Sequence, residues 1–296
     1  MFSITGATGR VGSAAADALL ARGEDVRVVV RDEARGRRWA ERGAEVAVAD
    51  LDDRAALARA IEGSDGVFVL LPFDLGAVDF EAETRARVRA IAGAVADSLV
   101  PHVVALSSLG AHLPAGTGPI VGLHHLEEAL RATGATVTAL RPGHFQEKVG
   151  DVLDAAIGGG VYPVLAGSAD VAKPMVATRD IGAVVAEVLA SRPAAHEVVD
   201  LLGPSYTERE VAELLGRGLG RPLEVVVVPR AGWRAALIDR GLPPHVAEVL
   251  LGLYDADEHG GLLVPRGDRA VWCPTDLATT LASVVVGAVA PIETPT

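Results

Sequence analysis

The segment Thr5-Gly6-Ala7-Thr8-Gly9-Arg10-Val11-Gly12 constrains this chain more than any other. It follows the short apolar run Phe2-Ser3-Ile4-Thr5 and opens a stretch in which Val11, Ala15, Ala18 and Leu19 recur at helical spacing. A strand that turns through glycines into a helix is the entry unit of a dinucleotide-binding α/β fold. The glycines give a tight turn, let the backbone approach a pyrophosphate, and let the helix pack closely on the strand. The helix N-terminus adds free N–H groups and a positive dipole end. Gly6, Ala7, Thr8, Gly9, Arg10, Val11 and Gly12 are therefore the first candidate cofactor-binding residues. The alternative is a Gly-rich turn without a ligand, and the placement between strand and helix argues against it.

Apolar runs of strand length recur at 26–30, 45–48, 66–71, 102–106 and 136–140, with helical periodicity between them. Near-continuous Val/Leu strands alternating with helices predict a parallel sheet covered on both faces. The fold class read here is α/β, a Rossmann doubly wound parallel sheet. After Gly143 the rhythm changes. Helices are expected at 180–189, 206–215, 231–240, 243–254 and 276–289, with strands at 198–202 and 223–228 and Thr207 as a helix cap. The division is a Rossmann core over 1–143 and a small C-terminal α+β substrate lobe over 144–296, with some segments returning to the core.

Three further places follow from strand ends, where such sheets bind ligands. The second strand ends in Val30-Arg31-Asp32-Glu33-Ala34-Arg35. Arg31 and Arg35 suit a ribose 2′-phosphate, hence NADP(H); Asp32 would instead suit the 2′-hydroxyl of NAD. Asp50 closes the third strand, either to accept from an adenine amino group beside Leu51 or to cap the helix starting near Arg54. Leu70, Leu71 and Pro72 close the fourth strand and are expected to line the ribose crevice.

The net charge of −12 repels phosphate backbones and argues against nucleic acid. Cys273 is the lone cysteine, which excludes an internal disulfide, fits a reducing compartment and reads as a buried small hydrophobe. The apolar run 281–290 is shorter than the roughly 20 residues that span a bilayer. No charged leader precedes the first strand. A soluble cytoplasmic protein is expected, with no membrane partner. Its expected partners are a small-molecule substrate and, in a homodimer, a second copy.

The glycine segment, Arg31 with Arg35, Leu106-Ser107-Ser108, the run Leu126-Glu127-Glu128-Ala129-Leu130-Arg131-Ala132-Thr133-Gly134, and Leu140-Arg141-Pro142-Gly143-His144-Phe145 together resemble the NmrA-like family of atypical short-chain dehydrogenases. Leu201-Leu202-Gly203-Pro204, Gly220-Arg221-Pro222 and Gly241-Leu242-Pro243 are similar to its quinone oxidoreductase type 2 and ergot-alkaloid-reductase-like branches. The resemblance covers nearly the whole chain. It implies the cofactor loop at Gly6 to Gly12, 2′-phosphate contacts at Arg31 and Arg35, and pocket walls at Leu70 to Pro72, Ser107, Pro142, His144 and Phe145.

Typical members of the superfamily carry a Tyr, the general acid, and a Lys four residues later that holds the nicotinamide ribose. The corresponding helix here reads Pro119-Ile120-Val121-Gly122-Leu123-His124-His125, with neither residue. Leu123 takes the position where NmrA-like proteins often keep a Lys, and Lys148 that of an Asn. His124 and His125 become the candidate proton donors, His124 the first of them, unless His124 merely pairs with Glu128 four residues on. Ser107 is expected to face the pocket and orient the substrate. Trp233, Tyr254 and Trp272 are available to line it. His102, His112, His144 and His259 lack sequence partners, so no metal site is expected. The reading is an NADPH-dependent reductase of a small conjugated or aromatic substrate: a quinone, an enone, or a natural-product imine or ketone. The alternatives are an NADP(H)-sensing regulator acting through a protein partner, and a redox-neutral enzyme on the same fold.

Overall fold

A computed structural model describes residues 1–289. The chain runs β1 (Phe2–Thr5), α1 (Arg10–Ala21), β2 (Val26–Val30), α2 (Glu33–Ala40), β3 (Glu45–Val48), α3 (Arg54–Ile61), β4 (Gly66–Leu70), α4 (Phe80–Ser98), β5 (His102–Leu106), α5 (Ile120–Arg131) and β6 (Thr136–Pro142). It continues through β7 (His144–Phe145), β8 (Val161–Val164), β9 (Lys173–Val176), α6 (Thr178–Ser191), β10 (Glu197–Leu202), β11 (Ser205–Tyr206) and α7 (Glu208–Gly218). Last come β12 (Glu224–Val227), α8 (Trp233–Asp239), α9 (Pro244–Glu258), β13 (Arg269–Trp272) and α10 (Leu277–Val289).

Eight strands form one parallel sheet in the order β13-β10-β6-β5-β4-β1-β2-β3. The strand order reverses between β1 and β4, which opens a crevice at the strand C-termini directly over the glycine loop. One face buries Val11, Ala15 and Leu19 of α1 with Ile181, Val185 and Leu189 of α6. The other buries Leu57, Ile61, Val88, Ile91, Leu126 and Leu130. α1 and α6 approach closely because Gly182 has no Cβ: one built there would stand 2.4 Å from the Ala14 Cβ.

β10 and β13 extend the sheet, while β11-β9-β7 and β12-β8 form two small separate sheets. Around them a third apolar cluster gathers Tyr162, Val164, Val211, Leu215 and Leu277. Thr207 caps α7 in a full capping box with Glu210, and Gly160 ends the turn 155–159 in the left-handed region at φ 68°. Two expected helix bounds shift. Tyr206 is a strand residue whose hydroxyl accepts from Leu277 N, and α9 runs on to Glu258. The apolar run 281–290 lies only partly within the described residues, among which no helix is long and apolar enough to cross a membrane.

His102 begins β5 almost fully buried, with Nε2 3.4 Å from the Thr138 hydroxyl and Nδ1 without a partner. Burial pushes the ring from 6.5 down to about 4; Glu197 opposes this and Arg192 adds to it. A depressed folded value means that the unfolded chain binds the proton more readily. The contribution of this site is whole above 6.5 and is lost as the pH falls toward about 4. His102→Gln is expected to flatten the loss of stability over that window, read as urea midpoints at pH about 7 and about 5.

Candidate functional site

The glycine loop follows from close approach. Gly6 sits at φ +63°, and a Cβ there would stand 2.5 Å from Leu70 Cδ2, so Leu70 closes directly over the turn. A Cβ on Gly12 would lie 2.3 Å from the Gly6 carbonyl oxygen, backbone against backbone. Gly9 differs. Its φ of −92° suits any residue, and a Cβ there would meet only the Gly6 oxygen at 3.4 Å. Gly9 caps α1 in extended conformation without a side-chain hydrogen bond. The loop therefore has a bare, exposed surface at Thr8, Gly9 and Arg10 beside free helix N–H groups, a cradle that fits a pyrophosphate. Ala7 and Val11 are buried in the core, so they can face a ligand only through their backbone.

At the end of β2 the expected pair divides. Asp32 caps α2 and accepts from Arg35 twice, from the backbone N at 3.0 Å and from Nε at 2.8 Å. Both Asp32 oxygens are engaged, and Arg35 is held to it in an exposed pair. Arg31 is exposed, with no side-chain hydrogen bond or carboxylate partner among the described residues. Arg38, which the sequence reading passed over, donates to the Ala7 carbonyl at 2.9 Å and lies 4.7 Å over the Trp39 ring. Its place one helical turn beyond Arg35 was the signal available.

Other expected positions are corrected. Leu71 does not line the crevice: strand residues alternate faces, so Leu70 covers Gly6 while Leu71 is buried against α4 and α5, near Gly122 and Thr84. Pro72 is exposed. The cap of α3 is Asp53, which accepts from Ala56 N; Asp50 makes only a local turn with Asp52 N, beside half-buried Leu51. Ser107 does not present a free hydroxyl. It is buried and donates to Glu127 Oε1 at 2.6 Å, and Glu127 is clamped by Arg141 through Nε at 2.8 Å and Nη2 at 2.6 Å. Glu128 bonds Arg131, not His124; the His124 Nδ1 is 2.9 Å from the Ala111 carbonyl, so it donates there and leaves Nε2. Trp272 is 62% exposed on the edge strand β13, away from either cavity. Cys273 is buried, its thiol pushed up to about 12 by burial and by Asp180, so it is no nucleophile.

β6 ends at Pro142, and the next residues turn into the second lobe. Gln146 and Glu147 anchor this turn. Gln146 donates to the Thr275 carbonyl, and Glu147 caps α6 through the Thr178 N–H at 2.9 Å and its hydroxyl at 2.6 Å. Between the sheet and these anchors His144 and Phe145 face a cavity of about 130 Å³, closed also by Lys148, Tyr162, Lys173 and Tyr254. Contrary to the sequence reading, His144 has a partner: its Nε2 is 3.4 Å from Asp257 Oδ1, and the other Asp257 oxygen accepts from Lys173 Nζ at 2.5 Å. Burial alone would raise the Asp257 carboxyl, but His144 and Lys173 outweigh it and hold it at about 2. Tyr162 donates to Glu208 at 2.7 Å, and burial with that carboxylate raises its phenol. Burial also raises Tyr254, whose ring meets Trp233 edge-on at 5.9 Å. A second, open cavity of about 420 Å³ lies beside Trp233, Arg230 and Asp255.

The parallel sheet, its switch point and the glycine cradle define a protein of the Rossmann dinucleotide-binding class. The chain belongs to the NmrA-like family, which matches residues 2–262. It is 34% identical over 255 residues to the (4-alkanoyl-5-oxo-2,5-dihydrofuran-3-yl)methyl phosphate reductase of Streptomyces griseus, covering 85% of both chains. It is 27% identical over 257 residues to the NAD(P)H azoreductase of Xenophilus azovorans, covering 86% of both. Among solved structures it resembles the NADPH-dependent quinone oxidoreductase of Escherichia coli in complex with NADPH, with a TM-score of 0.74, 25% identity, and coverage of 96% of this chain and 99% of that one.

Proposed function

We propose that the chain is an NADPH-dependent reductase that delivers hydride to a small conjugated acceptor: a quinone, an enone, or an imine or ketone of similar shape. The cradle at Thr8, Gly9 and Arg10 receives the pyrophosphate on the N-terminus of α1. Arg31 meets the 2′-phosphate, with Arg35 and Arg38 within one helical turn of it. The observation that carries the choice of NADPH is at Asp32. An acid that would serve a 2′-hydroxyl has both oxygens on Arg35, while Arg31 stands uncommitted among the described residues. Leu70 walls the crevice over Gly6 and, beyond buried Pro142, His144 and Phe145 line the substrate cavity. The named relatives support an acceptor that is small and unsaturated, since one reduces a quinone, another an azo compound and a third an oxo-dihydrofuran.

When bound, the dinucleotide supplies the hydride. The protein's share is orientation, exclusion of water and a proton for the reduced acceptor. Each charge-assisted contact to the 2′-phosphate is worth about 1.5–3 kcal/mol. Arg31→Ala is therefore expected to weaken NADPH about 10- to 100-fold while leaving NADH nearly unchanged. Calorimetric titration of both nucleotides into wild type and variant checks this. An unchanged NADPH/NADH ratio would remove Arg31 from the site.

A further inference from the structure

We propose that His144, positioned by Asp257 and Lys173, is the acid that protonates the reduced substrate. The inference rests on the reductase reading above. Hydride transfer to a carbonyl or quinone leaves an oxyanion, which must gain a proton from water or from a side chain in the cavity.

The hydroxyls and rings on this chain are mostly committed elsewhere. Ser107 gives its proton to Glu127, Tyr162 gives its own to Glu208, and burial makes the Tyr254 phenol a weaker acid. His124 donates Nδ1 to the Ala111 carbonyl and is not among the residues that close the cavity. His144 is. It lies two residues beyond the end of β6, with a side chain 27% exposed, and pairs with a carboxylate only 8% exposed. That carboxylate comes from α9, and Lys173 from β9 grips its second oxygen. β7 pairs with β9 in the register His144↔Met175, which fixes the backbone that carries the imidazole.

This is a nucleophile-free version of the carboxylate–imidazole arrangement. The buried anion fixes the orientation of the ring through Nε2, while the ammonium on its other oxygen holds the anion in place. The other charged groups closing the cavity are Lys148 and Asp151 from the turn after β7, Glu208 at the start of α7, and Arg240 at the end of α8. Lys148 and Arg240 have no carboxylate partner among the described residues, and they attract the developing oxyanion. In the step itself the acceptor gains two electrons with the hydride and the dinucleotide is oxidised. The N–H bond at His144 Nδ1 breaks, an O–H bond forms on the substrate, and the neutral imidazole recovers its proton from solvent through its exposed edge.

The test uses His144→Gln and Asp257→Asn, with circular dichroism to establish that each is folded. Turnover with NADPH and a quinone is followed against pH, and the tautomer of the His144 ring is read by nitrogen NMR in the protein without nucleotide. His144→Gln is expected to lower kcat at least about 10-fold, with KM and NADPH affinity within about 2-fold, and to abolish the decline of rate with rising pH. Asp257→Asn is expected to lower kcat with little change in KM and to release the His144 ring from a single tautomer, because the carboxylate that holds Nε2 is gone. Wild-type kcat and pH profile in His144→Gln would overturn the proposal. So would an unchanged His144 tautomer and kcat in Asp257→Asn, or about a 10-fold loss in His124→Gln with none at His144. A wild type that turns over no acceptor would instead overturn the reductase reading, and the proton-donor role with it, whatever the NMR spectrum shows.

Discussion

Gly9→Val is expected to abolish NADPH binding, a loss of at least about 100-fold, in a protein that still folds. Its backbone is extended at φ −92° and ψ 172°, where a β-branched residue is comfortable. The only atom near a new Cβ is the Gly6 oxygen at 3.4 Å, an ordinary contact. The isopropyl group therefore projects into the space the pyrophosphate would occupy, at the cost of a helix cap worth about 1 kcal/mol. Gly12→Ala makes the contrasting case. Its Cβ would press 2.3 Å from a backbone oxygen and 2.6 Å from the Gly6 carbonyl carbon, so strand and helix must separate and the variant should fail to fold. Calorimetry with circular dichroism distinguishes the two. Normal NADPH binding by folded Gly9→Val would place the nucleotide elsewhere.

The second large effect concerns the ion pair beneath the sheet end. Glu127 is 2% exposed and Arg141 7%, joined by two short bonds, with the Ser107 hydroxyl on the same carboxylate. Glu127→Ala strands a guanidinium in the interior, a change that typically costs about 3–5 kcal/mol, a large part of the roughly 5–15 kcal/mol that holds a domain together. The double variant Glu127→Leu with Arg141→Met removes both charges and is expected to recover most of the loss, because two desolvated ions give way to packing. Chemical denaturation measures both. A double variant as unstable as the single one would mean that the pair itself, and not the orphaned charge, supplies the stability. Ser107 thereby acts through Glu127, in the core rather than in the crevice.

The residues of this chain reveal its first half far more than its second. The segment 2–21 was legible because a glycine spacing and a helical period coincide there. β2, β4 and β5 were legible because strands buried on both faces read as near-continuous apolar runs. β7 and β11 have two residues each and carry no period to detect. β13 is only Arg-Ala-Val-Trp, largely exposed at the sheet edge, too short to show a period. Leu71 was assigned the wrong face because an apolar run hides the alternation that separates it from Leu70. The cofactor cradle is local in sequence and could be read from it. The His144–Asp257–Lys173 group could not: its members lie 113 and 84 residues apart, joined only when α9 and β9 fold over the end of β6. Asp32 shows the same limit on a small scale, since only the structure reveals which partner has taken its oxygens.

Turnover is read directly from the absorbance of NADPH when the protein meets a panel of quinones, enones and cyclic imines. Oxidation of NADPH by at least one of these acceptors is expected, with NADH much poorer at equal concentration and no turnover in Gly9→Val. Tight NADPH binding without oxidation by any of them would contradict it and point to a sensor of the nucleotide instead.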